Sequence, residues 1–371
     1  MKKLLKCLVA SAALVSGMGL LGSCSSKTYE YALITDVGDI DDESFNQTSW
    51  EAVRDFAKAN KKSYQYYRPT ADSNDARVES IELAIKKGAK IVVCPGFLFE
   101  TAVYDVQEKY PDVKFVLIDG DPHNADYSDY HRTSNVVSIL YQEEIAGYLA
   151  GYATVMDGYT KLGFCGGMAV PAVMRYGSGY VQGISAAADV KNVDVEVKYY
   201  YAGQFQATSE ATANCTSWYT ADTEAVFACG GKVYQSVVEG ANASKKENVK
   251  WIGVDVDQSS VDSKVLTSAM KGLRESVTSA LEVYASDSWS DIGGKNYNLG
   301  LNSEFGKLAK KDYVGIPTES KSWRFTSFTT AQYEKLLSDI KSGALTVSND
   351  TKAAPTVSSH VTVDWVSAFA G

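Results

Sequence analysis

Asp36-Val-Gly-Asp-Ile-Asp-Asp-Glu-Ser-Phe-Asn46 follows a strand-like run, Tyr29 to Thr35, and leads into a helix start at Ser44. In eleven residues it sets five carboxylates, one aromatic ring and one amide, far more polar chemistry than a connecting loop needs. Ligands of open α/β sheets bind where the carboxyl ends of strands meet helix N-termini. The stretch therefore reads as the mouth of a binding or catalytic site in an α/β protein.

Outward from it, short apolar runs alternate with amphipathic ones. Strands are expected at Tyr29 to Thr35, Tyr64 to Arg68, Lys90 to Pro95, Lys114 to Asp119, Asn135 to Ile139, Lys161 to Cys165, Asp194 to Tyr201, Ala225 to Cys229 and Val249 to Val254. Helices are expected at Trp50 to Ala59, Ala76 to Lys87, Glu143 to Val155 and Val233 to Ala243, with a loop around Pro171. Continuous apolar strands joined by helical crossovers imply parallel sheets covered on both faces. The alternation occurs once before about Ser138 and again after Gly158, which implies two similar lobes. In the tail beyond Asn296, the pattern suggests surface strands and one helix at Ala331 to Ser342.

The first 23 residues read as a leader, with Lys2, Lys3 and Lys6 ahead of the interrupted apolar run Leu8 to Leu21, too short for a spanning helix. Leu21-Gly22-Ser23-Cys24 resembles a bacterial lipobox, in which Cys24 is lipidated and anchors the chain to a membrane outside the cytoplasm. Removal of the leader takes three of 36 basic residues and none of the 45 acidic ones, moving the net charge from −9 to about −12. Such a surface disfavours nucleic acid and anionic lipid as partners. Cys94, Cys165, Cys215 and Cys229 include no CxxC pair; Cys94, Cys165 and Cys229 lie in or at the ends of apolar strand runs and read as buried free thiols, so no structural zinc is expected.

Several motifs together resemble the basic membrane protein family, the purine nucleoside receptor lipoproteins of ABC importers. They are Ala32-Leu-Ile-Thr-Asp-Val-Gly-Asp-Ile-Asp-Asp-Glu-Ser-Phe-Asn-Gln47 with Trp50-Glu51, Phe115-Val-Leu-Ile-Asp119, Gly163-Phe-Cys-Gly-Gly-Met168 with Pro171, Val226 to Gly231, Ile252-Gly-Val-Asp-Val-Asp-Gln258 and Val265-Leu-Thr-Ser-Ala-Met-Lys271. The resemblance implies a type I periplasmic-binding-protein fold, α/β, with two doubly wound parallel-sheet lobes, a hinge and a cleft between them. The lobes are expected at 24–139, with a segment returning at about 258–290, and at 140–257, with part of the 291–371 tail. It further implies capture of a nucleoside for an ABC permease, without chemistry on the ligand, by a monomer that needs no cofactor or metal.

Site residues follow from the same resemblance, position by position. Phe45 matches the aromatic that covers one purine face, and Phe205 the one on the other, with Tyr176 competing for that second role. Two rings around a flat heterocycle bury large area and add about 0.5–1.5 kcal/mol per aromatic contact beyond burial. Asp36, Asn46 and Asp119 match positions that bind the base edge; Asp255, Lys271 and the backbone of Gly230 match those that bind the sugar. Asp39, Asp41, Asp42 and Glu43 read instead as helix-dipole partners, and Ser44 with Gln47 has capping-box spacing. The chain departs from the family after Gly231, where Lys232-Val-Tyr-Gln replaces a more glycine-rich continuation.

Two other functions fit parts of the pattern. A bare sugar also stacks on aromatics and bonds to aspartates. Thr35-Asp-Val-Gly-Asp-Ile-Asp-Asp42 further looks like the aspartate-rich calcium motif of nucleoside hydrolases, although His123, His131 and His360 stand in no matching setting.

Overall fold

Runs such as Ile91-Val-Val-Cys-Pro95 and Val136-Val-Ser-Ile-Leu-Tyr141 become strands because branched side chains crowd a helix but pack well on a pleated surface. In the computed structural model, which describes residues 27–369, they build two sheets. The leader and the anchor residue Cys24 lie outside the described residues.

The strands are β1 (Tyr31–Ile34), β2 (Tyr64–Tyr67), β3 (Ile91–Pro95), β4 (Lys114–Ile118), β5 (Val136–Tyr141), β6 (Lys161–Gly166), β7 (Val195–Tyr201), β8 (Ala225–Cys229), β9 (Lys250–Asp255), β10 (Val265–Lys271), β11 (Asn296–Leu299), β12 (Val314–Gly315) and β13 (Val361–Trp365). Helices are α1 (Phe45–Ala59), α2 (Asn74–Lys86), α3 (Glu100–Gln107), α4 (Glu143–Met156), α5 (Pro171–Lys191), α6 (Ser209–Thr220), α7 (Val233–Ala243), α8 (Leu273–Ala285) and α9 (Thr330–Lys341). The first sheet runs β11-β5-β4-β3-β1-β2, all parallel. The second runs β12-β10-β9-β8-β6-β7-β13, parallel except where β12 meets β10.

Each sheet is covered on both faces, and the two-residue period of a strand decides which side chain meets which helix layer. In β1, Tyr31 and Leu33 join the core of α1 and α8, whereas Ala32 and Ile34 join that of α2 and α3. In the second lobe Phe164 and Phe227 pack with α4 and α5, and Cys165, Val226 and Trp251 pack with α6 and α7. Cys94, Cys165, Cys215 and Cys229, the cysteines among the described residues, are buried free thiols.

Three segments cross between lobes: Gln142 between β5 and α4, Gly272 between β10 and α8, and the stretch from β11 to β12. They are bonded to one another, with Gln142 N donating to Leu299 O at 3.0 Å and Gly272 N to Tyr313 O at 2.7 Å. Because β10 lies in the second sheet, residues 258–271 stay with that lobe and the return begins at α8, later than about 258. β10 stays there because its backbone pairs in parallel with β9 from Val265 to Met270, with one register shift between Val265 and Thr267.

The expected loop at Pro171 is instead the first turn of a 21-residue helix, with proline in a position that has no helical N–H to lose. Gly179 and Gly183 weaken the local helical signal, but tight packing requires them. A Cβ on Gly179 would stand 2.0 Å from the Glu144 carbonyl oxygen, and one on Gly147 of α4 would stand 2.1 Å from that of Tyr176. The two helices touch backbone to backbone, and this contact brings Arg175 and Tyr176 to the hinge.

Candidate functional site

The loop after β1 is held by its own carboxylates. Asp42 accepts from the backbone N–H groups of Ser44, Asn46 and Gln47, each at 3.0 Å, and so caps α1. That agrees with its reading as a helix-end carboxylate, but the Ser44–Gln47 capping box does not form. With Asp42 satisfying those N–H groups, Ser44 Oγ instead donates to Asp255 Oδ2 of the other lobe at 2.6 Å, and Gln47 Oε1 accepts from Glu43 N at 2.9 Å. Asn46 Nδ2 donates to Asp36 Oδ1 at 2.8 Å and to Asp42 Oδ2 at 3.2 Å, while its Oδ1 accepts from Asp36 N at 3.2 Å. Asn46 thus braces the loop. Burial pushes the Asp36 carboxyl above its usual range, against the hydrogen bonds from Gly38 and Asn46.

Asp119 directly follows β4 and Asp255 is the last residue of β9; both take left-handed backbone, with φ of 59° and 67°. Aspartate tolerates that conformation better than most residues. The turn brings both carboxylates toward Lys271, at the end of β10. Its Nζ lies 2.5 Å from Asp119 Oδ2, 3.3 Å from Glu143 Oε1 and 3.7 Å from Asp255 Oδ1. It also lies 4.9 Å from the Phe45 ring centre, 5.3 Å from that of Tyr141 and 5.6 Å from that of Tyr176. Arg175 Nε holds the other oxygen of Glu143 at 2.7 Å.

Burial pulls the Lys271 ammonium down, but the three carboxylates outweigh this and raise it, so it stays charged. Burial pushes Asp119 up to about 7 in spite of Lys271, because Glu143 and Asp255 compete for the same cation. Asp119 Oδ1 and the Tyr176 hydroxyl are buried without a protein partner. Buried polar atoms are nearly always satisfied, so both are ready to bond a guest.

Asp36, Phe45, Asp119, Tyr176, Asp255 and Lys271 line one cavity between the lobes. All eight residues assigned to the ligand from sequence border it: Asp36, Phe45, Asn46 and Asp119 from the first lobe, and Phe205, Gly230, Asp255 and Lys271 from the second. Phe205 packs against Gly167 and Gly230, where a Cβ would stand 2.5 Å and 3.0 Å from its Cδ1, so glycine makes room for the ring. Tyr176 lines the cavity as well, so the two competing aromatics are both present. Sequence reasoning missed the wall residues Phe97, Leu98, Val170 and Val173, the polar Lys232, and Glu143 beneath the site. Glu143 looks like an ordinary helix-start acid; only its position two residues after a strand that ends at the hinge could have marked it. Among the lining residues four carboxylates face two lysines, which disfavours anionic guests. Among the described residues no group of three or more His, Cys, Asp and Glu side chains converges to hold a metal ion.

Two doubly wound lobes with a largely apolar, aromatic-walled cavity that carries a few acidic side chains at the carboxyl ends of both sheets define a two-lobed solute-binding protein. Residues 30–346 match the family model for Bmp, described as ABC transporter substrate-binding protein, PnrA-like. The chain belongs to this family, whose members are substrate-binding proteins of ABC transporters and not enzymes. It is 31% identical over 277 residues to the ABC transporter nucleoside-binding protein BmpA of Lactococcus lactis, across 70% of this chain and 75% of that one. It is also 27% identical over 356 residues to a CD4+ T-cell-stimulating antigen of Listeria monocytogenes, across 90% and 88% of the two chains. Among solved structures, an ABC transporter solute-binding protein from Aeropyrum pernix superposes with a TM-score of 0.73 at 19% identity, covering 87% of this chain and 94% of that one. That likeness is one of fold, type I periplasmic-binding-protein architecture.

Proposed function

We propose that this protein captures a nucleoside, with purine nucleosides the best fit, and delivers it to an ABC permease while held at the extracytoplasmic membrane face by a lipid on Cys24. The observation that carries the reading is the pairing, in one cavity, of Phe45 and Phe205 from opposite lobes with the partnerless Asp119 Oδ1 and the Lys271–Asp255 pair. Flat apolar faces suit the rings, donor groups on the base edge suit Asp119, and vicinal hydroxyls suit an acceptor beside an ammonium. The name of the Lactococcus relative supports the ligand class, and relatives from Pyrococcus are called lipoproteins.

Binding favours the closed arrangement only through contacts that the ligand makes to both lobes at once. Ser44 to Asp255 and Lys271 to Asp119 already join the lobes at the floor of the cavity. A guest bridging Phe45 and Asp119 to Phe205 and Asp255 adds to them, and the closed shape is what a permease recognises.

Calorimetry against a panel of nucleosides, free bases, ribose and arabinose tests the reading. Inosine, guanosine or adenosine should bind most tightly and reversibly, with no free base in the cell afterwards. Tighter binding of a bare pentose would replace the nucleoside with a sugar as the cargo.

A further inference from the structure

Lys232 stands at the N-terminal end of α7, as its N-cap residue. Its backbone N–H donates to the Phe205 carbonyl oxygen at 2.8 Å, which ties it to the loop that carries the second-lobe ring. Its side chain leaves that lobe altogether. Nζ reaches Asp41 Oδ1 at 2.8 Å and Asp39 Oδ2 at 3.3 Å, both on the first-lobe loop that ends in Phe45. Asp39 is itself held by Arg68 of the first lobe, and Lys232 also borders the cavity.

We propose that Lys232 is a positioning residue for ligand capture, a bridge across the cleft mouth that holds the Phe205 loop against the Asp39–Asp41 loop and favours the closed arrangement. The inference deepens the nucleoside-capture reading and rests on it for its effect on affinity. A bridge made before the ligand arrives lowers the cost of closure, and apparent affinity rises with the fraction of molecules already competent to bind. The hydrogen bond to Asp41 raises the ammonium's pKa, and the same bond lowers that of Asp41, so both groups stay charged around neutral pH. Asp41 is largely exposed, so added salt screens this contact while leaving the buried contacts below it nearly untouched.

The test compares the full chain carrying Lys232, Lys232→Gln, Lys232→Arg or the pair Asp39→Asn and Asp41→Asn. Spin labels at Leu83→Cys in α2 and Val190→Cys in α5, both exposed sites on different lobes, report the interlobe distance without ligand. Inosine affinity is measured in parallel at low and high sodium chloride. Loss of the charge should lengthen the interlobe distance, weaken inosine binding about three- to fivefold at low salt and flatten its salt dependence, as expected for a partly exposed ion pair. Lys232→Arg should restore both, and the double Asn variant should behave like Lys232→Gln. A Lys232→Gln protein with the original distance distribution and salt dependence overturns the bridge. If no variant, the unaltered chain included, binds any nucleoside, the ligand reading fails, and the distance measurement still decides on the bridge.

Discussion

Two lysines join the lobes, and their surroundings could hardly differ more. Lys271 is 2% exposed and sits among three carboxylates and three rings at the floor of the cavity; Lys232 is 16% exposed and meets a carboxylate that is 76% exposed at the rim. The chemistry is the same, ammonium to aspartate. Water makes the difference: a charge taken out of solvent must keep its partners, whereas an exposed pair trades nearly equal interactions with water. The floor therefore belongs to the architecture of the hinge, and the rim belongs to its adjustment.

Lys271→Met is the severest way to probe that contrast. It leaves Asp119 and Asp255 buried without their cation and should lower stability by about 3–5 kcal/mol in urea unfolding at pH 8. Part of the loss should return near pH 6, where Asp119, already raised to about 7, takes up a proton. A loss no larger than that of Lys232→Gln would erase the distinction between floor and rim.

Glu144 sharpens it from another side, as a buried carboxylate with no cation in contact. It is 4% exposed, its Oε2 has no partner, and burial pushes it up to about 7. A carboxyl whose pKa is higher in the folded chain holds more protons there, so stability declines as pH rises from the unfolded value near 4.5 through 7. Glu144→Gln should raise stability at pH 8 by about 2 kcal/mol and flatten that decline, followed by thermal melting across pH 5 to 8.

Ligand affinity gives the next comparison. Phe45→Ala and Asp255→Ala should each weaken nucleoside binding at least tenfold, about 1.4 kcal/mol, and unchanged affinity in both would remove the site assignment. For Asp119, affinity should fall as pH drops through about 7, since a protonated carboxyl is a weaker acceptor and turns one oxygen into a donor facing the guest's own donors. Asp119→Asn should bind weakly and without that pH dependence, as calorimetry at pH 6 and 8 can establish. The smallest effect belongs to the rim: Lys232→Gln should melt within about 2 °C of the unaltered protein, because exposed ion pairs contribute little to folding.

Much of this arrangement was legible before any coordinates. Strands such as Ile91–Pro95 and Ala225–Cys229 are continuous apolar runs, a pattern that only a doubly covered parallel strand tolerates. α5 was not legible, because Gly177, Gly179 and Gly183 lower local helix propensity, and the close contacts that require them lie far along the chain, on Tyr199 of β7 for Gly177 and on α4 for Gly179 and Gly183. The capping of α1 misled for a related reason. Ser44 and Gln47 have the right spacing, but Asp42 is nearer in space to the free N–H groups, and Asp255, from another lobe, draws the Ser44 hydroxyl away.

From its residues alone the chain determines two doubly wound lobes, an aspartate-rich loop at a strand end and the residue types that border a cavity. These follow from periodicity, turn chemistry and motif order, all local properties of the chain. Only the tertiary structure decided that Glu143 and Arg175 support Lys271, that Asn46 braces its loop, that Asp119 keeps a free oxygen and that Lys232 spans the mouth. Each depends on which charges are brought within a few ångströms and how much water is removed from them, and no sequence spacing encodes that when the partners come from different lobes.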